Sequence, residues 1–286
     1  MRMGANSYGK DGIRLVTVAR LPDRHEVRDL TVDVRLEGDF ARVYTAGDNS
    51  AVLPTDTMRT TVYALARAHP LGDVEGFGAA LAERFLAATP AASVARIRLS
   101  EHPWARVEAG GRAHPHAFSR SSGERWTATV AATRSGVRIG AGLEGLVLLK
   151  TAGSAFAGFL KDRYTVLEET DDRLLATEMS ATWQYASAET DFPACRRDVR
   201  RALVEAFADH GSRSLQHTLW AMGEAVLRDC GQVERVSLSL PNRHHFTVDL
   251  APFGLDNDDE VFVATDRPYG VIEGTVERPD GAAPRR

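Results

Sequence analysis

Twice along this 286-residue chain, segments of period two give way to two segments of helical period and then return. In the first half, Leu30, Val32, Val34 and Leu36 share one face while Thr31, Asp33 and Arg35 share the other, a half-buried strand. Ile13, Leu15, Thr17 and Ala19 interleave in the same way before it. The period then changes. Pro54-Thr55-Asp56-Thr57 is a helix start with two residues able to cap, followed by Met58, Val62, Leu65 and Ala66. Phe77, Leu81 and Phe85 mark a second helix from Val74. Alternation resumes at Ala95, Ile97 and Leu99 and again around Trp126, Ala128 and Val130.

The second half repeats this order with different residues. Strands are predicted over Val137–Lys150 and Arg173–Tyr185. Helices follow at Val199, Ala202, Leu203, Ala206 and Phe207 and at Leu215, Leu219, Met222 and Val226. Strand patterns return at Val236-Leu238-Leu240, Phe246-Val248-Leu250 and Val261-Val263. Grouped strands and grouped helices predict an α+β fold with antiparallel sheet, not a doubly wound one. Two structural repeats are expected, 1–135 and 136–278, with a flexible tail over 279–286. The polar loop 109–113 carries no periodic signal and is expected to be exposed.

Composition removes whole classes of function. Lys+Arg 35 against Asp+Glu 39 gives a net charge of −4, too balanced for a nucleic-acid footprint or a polybasic membrane tether. The longest dense apolar run, Leu143 to Leu149, is broken by Glu144 and Gly145 and is too short to span a bilayer. The first residues lack the apolar core of a secretory signal, and two cysteines, Cys195 and Cys230, form no disulfide framework. A cytoplasmic protein is expected. Phosphate-loop, dinucleotide and His-Glu-x-x-His motifs are absent, and Gly140-Ala141-Gly142-Leu143-Glu144-Gly145 lacks the third glycine at the required spacing. His114-Pro115-His116 and His244-His245 have no acidic or cysteine partner at a recognised metal spacing, so no metal is expected.

What remains is a set of short polar islands, each with an ordinary structural explanation when taken singly. Asp48-Asn49-Ser50 through Thr57 caps a helix, Arg173 follows two acids it can pair with, and Phe156 fits a core. As an ordered set they carry more. Tyr8-Gly9-Lys10, Tyr44-Thr45-Ala46-Gly47-Asp48-Asn49-Ser50 and Pro54-Thr55-Asp56-Thr57-Met58 resemble the opening of urate oxidase, the uricase family. The resemblance continues through Phe156-Ala157-Gly158-Phe159-Leu160-Lys161-Asp162, Tyr164-Thr165, Asp172-Arg173 and Gln216-His217-Thr218-Leu219. It ends with Leu240-Pro241-Asn242-Arg243-His244 and Asp266-Arg267-Pro268-Tyr269-Gly270.

That resemblance implies two tandem tunnelling-fold domains, each an antiparallel sheet backed by two helices, in a homotetramer whose sheets close into a barrel around a tunnel. It implies oxidation of urate by dioxygen and water to 5-hydroxyisourate and hydrogen peroxide, with no cofactor. Carried over residue by residue, it makes Phe156 the stacking partner of urate, and Arg173 and Gln216 its clamp. Leu167, Leu215 and Asp56 form the wall, and Asn242 with Thr55 marks the dioxygen and water position. Lys10, Thr55 and His244 form a proton relay. His245 stands where the family commonly has Tyr, and strand alternation predicts that it turns away from His244. Two other readings stay open here: a pterin enzyme of the same fold, which needs a zinc cluster of His or Cys, and a catalytically silent purine-binding protein.

Overall fold

The computed structural model describes residues 1–68, 72–120, 123–265 and 267–279. Asp266 and residues 280–286 of the expected tail lie outside the described residues. The chain divides into two compact units. One comprises Met1–Glu144 with Gln184–Pro193, the other Gly145–Trp183 with the described residues from Ala194 onward.

In the first unit, β1 (Ser7–Arg20) and β2 (His25–Gly38) lead to a short helix α1 (Ala41–Ala46), then α2 (Thr55–Ala68) and α3 (Val74–Ala88). The strands β3 (Ala92–Glu101), β4 (Ala105–Ala109), β5 (Arg112–Ser119), β6 (Arg125–Thr133) and β7 (Gly136–Lys150, which belongs to the second unit from Gly145 on) follow. Five of them lie in the order β1-β2-β3-β6-β7, each antiparallel to its neighbour and open at β1. Register explains why they belong together. Ile13, Val32, Leu99, Ala128 and Ala141 stand opposite one another across all five strands, and every one is buried. A slip of one residue would turn this whole row to solvent.

The helices cover that buried face. Asp73 caps α3 by accepting the Gly76 amide at 2.5 Å. Phe77, Leu81 and Phe85, four apart, are all buried, and α3 packs on β3 and β6. Gly78 makes the approach possible, since a Cβ there would stand 2.8 Å from Leu99 and 2.9 Å from Val130. Helix α2 begins at Thr55 itself, so Thr55 and Asp56 do not cap it; Asp56 sits in the first turn, where its charge suits the helix dipole.

The loop expected at 109–113 is exposed and forms the tip of a hairpin. Ala109 pairs with Arg112, and Gly110 and Gly111 both take positive φ, +59° and +72°. Two successive left-handed residues are what a tight two-residue hairpin turn requires, and glycine supplies them without steric cost.

The second unit contains β8 (Leu175–Tyr185, whose last two residues belong to the first unit) and α4 (Phe192–Asp209, whose first two residues do too). It continues with α5 (Leu215–Asp229), β9 (Val233–Arg243), β10 (His245–Thr247), β11 (Phe262–Ala264) and β12 (Gly270–Glu277). Its strands run β8-β9-β12 and end at β12, with β10 and β11 a separate pair. Val236, Leu238 and Leu240 are buried beneath α5, which packs on β9 and β12. The expected strand over Phe246-Val248-Leu250 stops at Thr247, because the backbone turns at Leu250 into a single 3-10 turn, Ala251–Phe253, with Pro252 inside it.

Candidate active site

Phe156 and Arg173 come from a segment without long strands, and hydrogen bonds hold them in place. The Phe156 amide donates to the Thr170 carbonyl at 2.8 Å, and the Thr170 amide returns a bond at 3.0 Å. One oxygen of Asp172 then accepts the amides of both Ser154 and Arg173, each at 3.0 Å. Asp172 therefore serves the backbone. The result sets the Arg173 guanidinium 5.2 Å from the centre of the Phe156 ring, with Phe159 stacked on that ring at 4.9 Å.

Arg173 is half-buried, and its Nε is buried with no hydrogen-bond partner among the described residues. Burial pulls its pKa down. A buried unpartnered donor costs about 1–3 kcal/mol, so a ligand oxygen placed there would be strongly favoured.

The strand β9 delivers the remaining groups. Asn242 pairs with Gly270 near the end of the β9–β12 ladder, and His244 follows one residue beyond β9. Its carbonyl accepts the Thr265 amide at 2.9 Å, and its ring stacks against Phe246 at 5.7 Å. Burial lowers the His244 pKa, and the charges of Arg173 and His245 lower it further. At neutral pH the ring is a neutral proton acceptor.

These residues line one cavity of roughly 870 Å³ in the second unit: Phe156, Leu167, Arg173, Asn242 and His244 all contribute to its wall. His245 does too. The expectation that it turns away fails because the strand breaks between β9 and β10 at His244, so alternation does not carry across. Its Nδ1 lies 3.2 Å from the Arg243 carbonyl. A carbonyl can only accept, so Nδ1 carries a proton toward it. Leu215 and Gln216 open α5 behind the capping residue Ser214, Leu215 buried and Gln216 exposed, and neither belongs to this wall.

The other three expected site residues lie in the first unit. Lys10 stands opposite Val34 just before a register shift, where the Gly12 amide bonds Asp33 at 2.7 Å. Thr55 lines an apolar pocket of about 490 Å³ with Tyr8, Phe40, Tyr44 and Leu53. Asp56 is exposed and paired with Arg59 at 2.6 Å. On β5, His114 Nδ1 accepts the His116 amide at 3.3 Å.

Sequence reasoning missed Thr170, Glu260 and Phe262 on the cavity wall. The polar run Asp256-Asn257-Asp258-Asp259 signals a turn. Nothing in it tells which strand end the turn folds back upon.

Antiparallel strands backed by helices define an α+β protein, here with an aromatic ring and a guanidinium facing a cavity at a strand end. The uricase family model matches residues 6–131 and 139–273. A uricase of Arthrobacter globiformis is 46% identical over 276 residues, covering 96% of this chain and 90% of that protein. The uricase of Aspergillus flavus is 36% identical over 290 residues, with 96% of each chain covered. A crystal structure of uricase from Arthrobacter globiformis superposes with a TM-score of 0.94 at 45% identity, over 99% of this chain and 97% of that one. The chain belongs to the uricase family.

Proposed function

We propose that this chain oxidises urate: urate, dioxygen and water give 5-hydroxyisourate and hydrogen peroxide. Both sides of that equation hold the same atoms, and dioxygen takes up the two electrons that urate loses. The observation that carries the reading is the buried, unpartnered Nε of Arg173 beside the Phe156 ring, in a chain of this family. A flat, carbonyl-rich anion supplies what that pair lacks, a stacking face and an oxygen acceptor.

In this reading Arg173 and Gln216 hold opposite edges of urate, Phe156 stacks on it, and Leu167, Leu215 and Asp56 complete the wall. Asn242 and Thr55 mark the dioxygen and water position. Lys10, Thr55 and His244 move protons: one leaves urate, which makes the ring electron-rich enough to reduce dioxygen, and water is then activated to attack the oxidised ring. The depressed pKa of His244 suits an acceptor at neutral pH. The chemistry uses no cofactor.

The tandem-domain division at 135/136 and a homotetramer with sites shared across subunit interfaces belong to the same proposal. Leu160 and Val166 are 94% and 93% exposed in the single chain, large apolar groups that a second subunit would cover. β1 and β12 end their units' strand runs, which leaves edges for sheets of neighbouring subunits to meet. Among the described residues no helix is long and apolar enough to cross a membrane. Both cysteines are free, which fits the cytoplasm.

The test is direct. Protein stripped with chelator and desalted should remove the ultraviolet absorbance of urate and consume one dioxygen per urate. Activity that appears only after zinc, copper or iron is added back would overturn the mechanism. Binding without turnover would make the chain a silent purine binder.

A further inference from the structure

One stretch of the cavity wall hangs from a single side chain. The segment 248–261 leaves β10 and returns to β11, and the Val248 amide closes its base on the Val261 carbonyl at 3.1 Å. Inside it, Asn257 uses its whole hydrogen-bonding capacity. Nδ2 donates to the carbonyls of Val248 and Val261, both at 2.8 Å. Oδ1 accepts the amides of Glu260 and Val261, both at 3.0 Å. The amide cannot be flipped, because two backbone N–H groups would then face N–H donors.

The residues held this way are pocket residues. Asp259, Glu260 and Phe262 line the cavity, and Asn257 does not. Asp259 is also the only non-glycine among the described residues with positive φ, +56°, and its carboxylate accepts the Thr247 hydroxyl at 3.1 Å. A left-handed residue persists only where its surroundings hold it. Here they are the bonds on either side of it.

We propose that Asn257 is a positioning residue of the active site, which fixes Asp259, Glu260 and Phe262 on the wall that meets the substrate without touching the substrate itself. The proposal rests on the urate reading for the identity of that substrate. None of the four bonds of Asn257 reaches His244, so its loss acts on binding and leaves the chemical step alone.

The test uses the full chain with Asn257→Ala and Asn257→Asp. Alanine removes all four bonds. Aspartate keeps the acceptor but sets a carboxylate oxygen against two carbonyls. Both should raise KM for urate about three- to tenfold, the worth of one ordinary hydrogen bond at the pocket, with kcat within about twofold of the parent. Xanthine binding by titration should weaken by the same factor. In the alanine variant, the Glu260 and Val261 amides should exchange faster while the β9–β12 ladder keeps its protection. Unchanged KM and xanthine affinity with deprotected amides would overturn the proposal, since the pocket would not need the pin. Amides still protected in Asn257→Ala would also overturn it. So would a fall in kcat with loss of protection across the whole unit, which is general destabilisation. Failure of the urate reading looks different, with no oxygen uptake by the unsubstituted protein, and the xanthine and exchange measurements would still decide on Asn257.

Discussion

His244 is a residue whose neighbours decide what it can do. Burial, then the Arg173 guanidinium, then His245 lower its pKa below the ordinary histidine value of about 6.5. The folded chain therefore holds the neutral ring more tightly than the unfolded chain does. The stability this allows is present above about pH 6.5 and is lost as pH falls toward the folded pKa. The same titration should set the acid limb of kcat/KM, which falls as His244 takes a proton and can no longer accept one. His245→Asn removes one like charge, so the limb should move to higher pH. Measuring kcat/KM between pH 5 and 8 in both proteins checks this. A limb that stays in place would assign it to another group.

At the scale of elements, α5 meets β12 closely, and glycine makes the contact possible. A Cβ at Gly223 would lie 2.4 Å from Cγ2 and 2.8 Å from Cβ of Val276. Across the same contact, a Cβ at Gly274 would lie 3.0 Å from Leu219 Cδ2. Alanine at 223 would gain about 1 kcal/mol of helix propensity. The clash opposes it, because Val276 is β-branched, buried and paired with Val236 in the β9–β12 ladder, so it cannot swing away. Overpacking of this kind costs about 1–3 kcal/mol, and at 2.4 Å the upper part of that range applies. Gly223→Ala should lower the urea midpoint, while Gly136→Ala, with nothing within 4 Å of its Cβ, should leave it unchanged. A raised midpoint in Gly223→Ala would mean the helix backs away from the sheet at little cost.

At the scale of the whole molecule, the proposed site draws on both units: Lys10, Thr55 and Asp56 from the first, and the stacking, clamping and histidine groups from the second. If these halves meet across a twofold subunit interface, inactive variants should complement. Lys10→Ala and Arg173→Ala, each inactive alone, would be unfolded and refolded together in equal amounts. A mixed pair carries one site with both defects and one with neither, and random pairing then makes roughly a quarter of all sites intact. Recovery near that fraction supports the shared site. Inactivity with mixed oligomers seen by mass spectrometry would place the complete site in one chain.

The residue pattern alone determined the order of strands and helices, because periods of two and of about four report which side of each segment is buried. Leu30 to Leu36 and Phe77 to Phe85 read correctly for that reason. The family was also legible, since Phe156, Arg173, Asn242 and His244 sit in short islands whose chemistry and order survive without coordinates. Other features needed the tertiary structure. The hairpin at Gly110-Gly111 is set by two left-handed dihedrals, which leave no periodic trace. His245 lines the cavity because the backbone breaks at His244, and alternation holds only along an unbroken strand. Asn257 reads as one polar residue in a turn. Its role depends on four backbone groups that meet only when 248–261 closes on itself, and contacts of that kind are decided by where the chain returns.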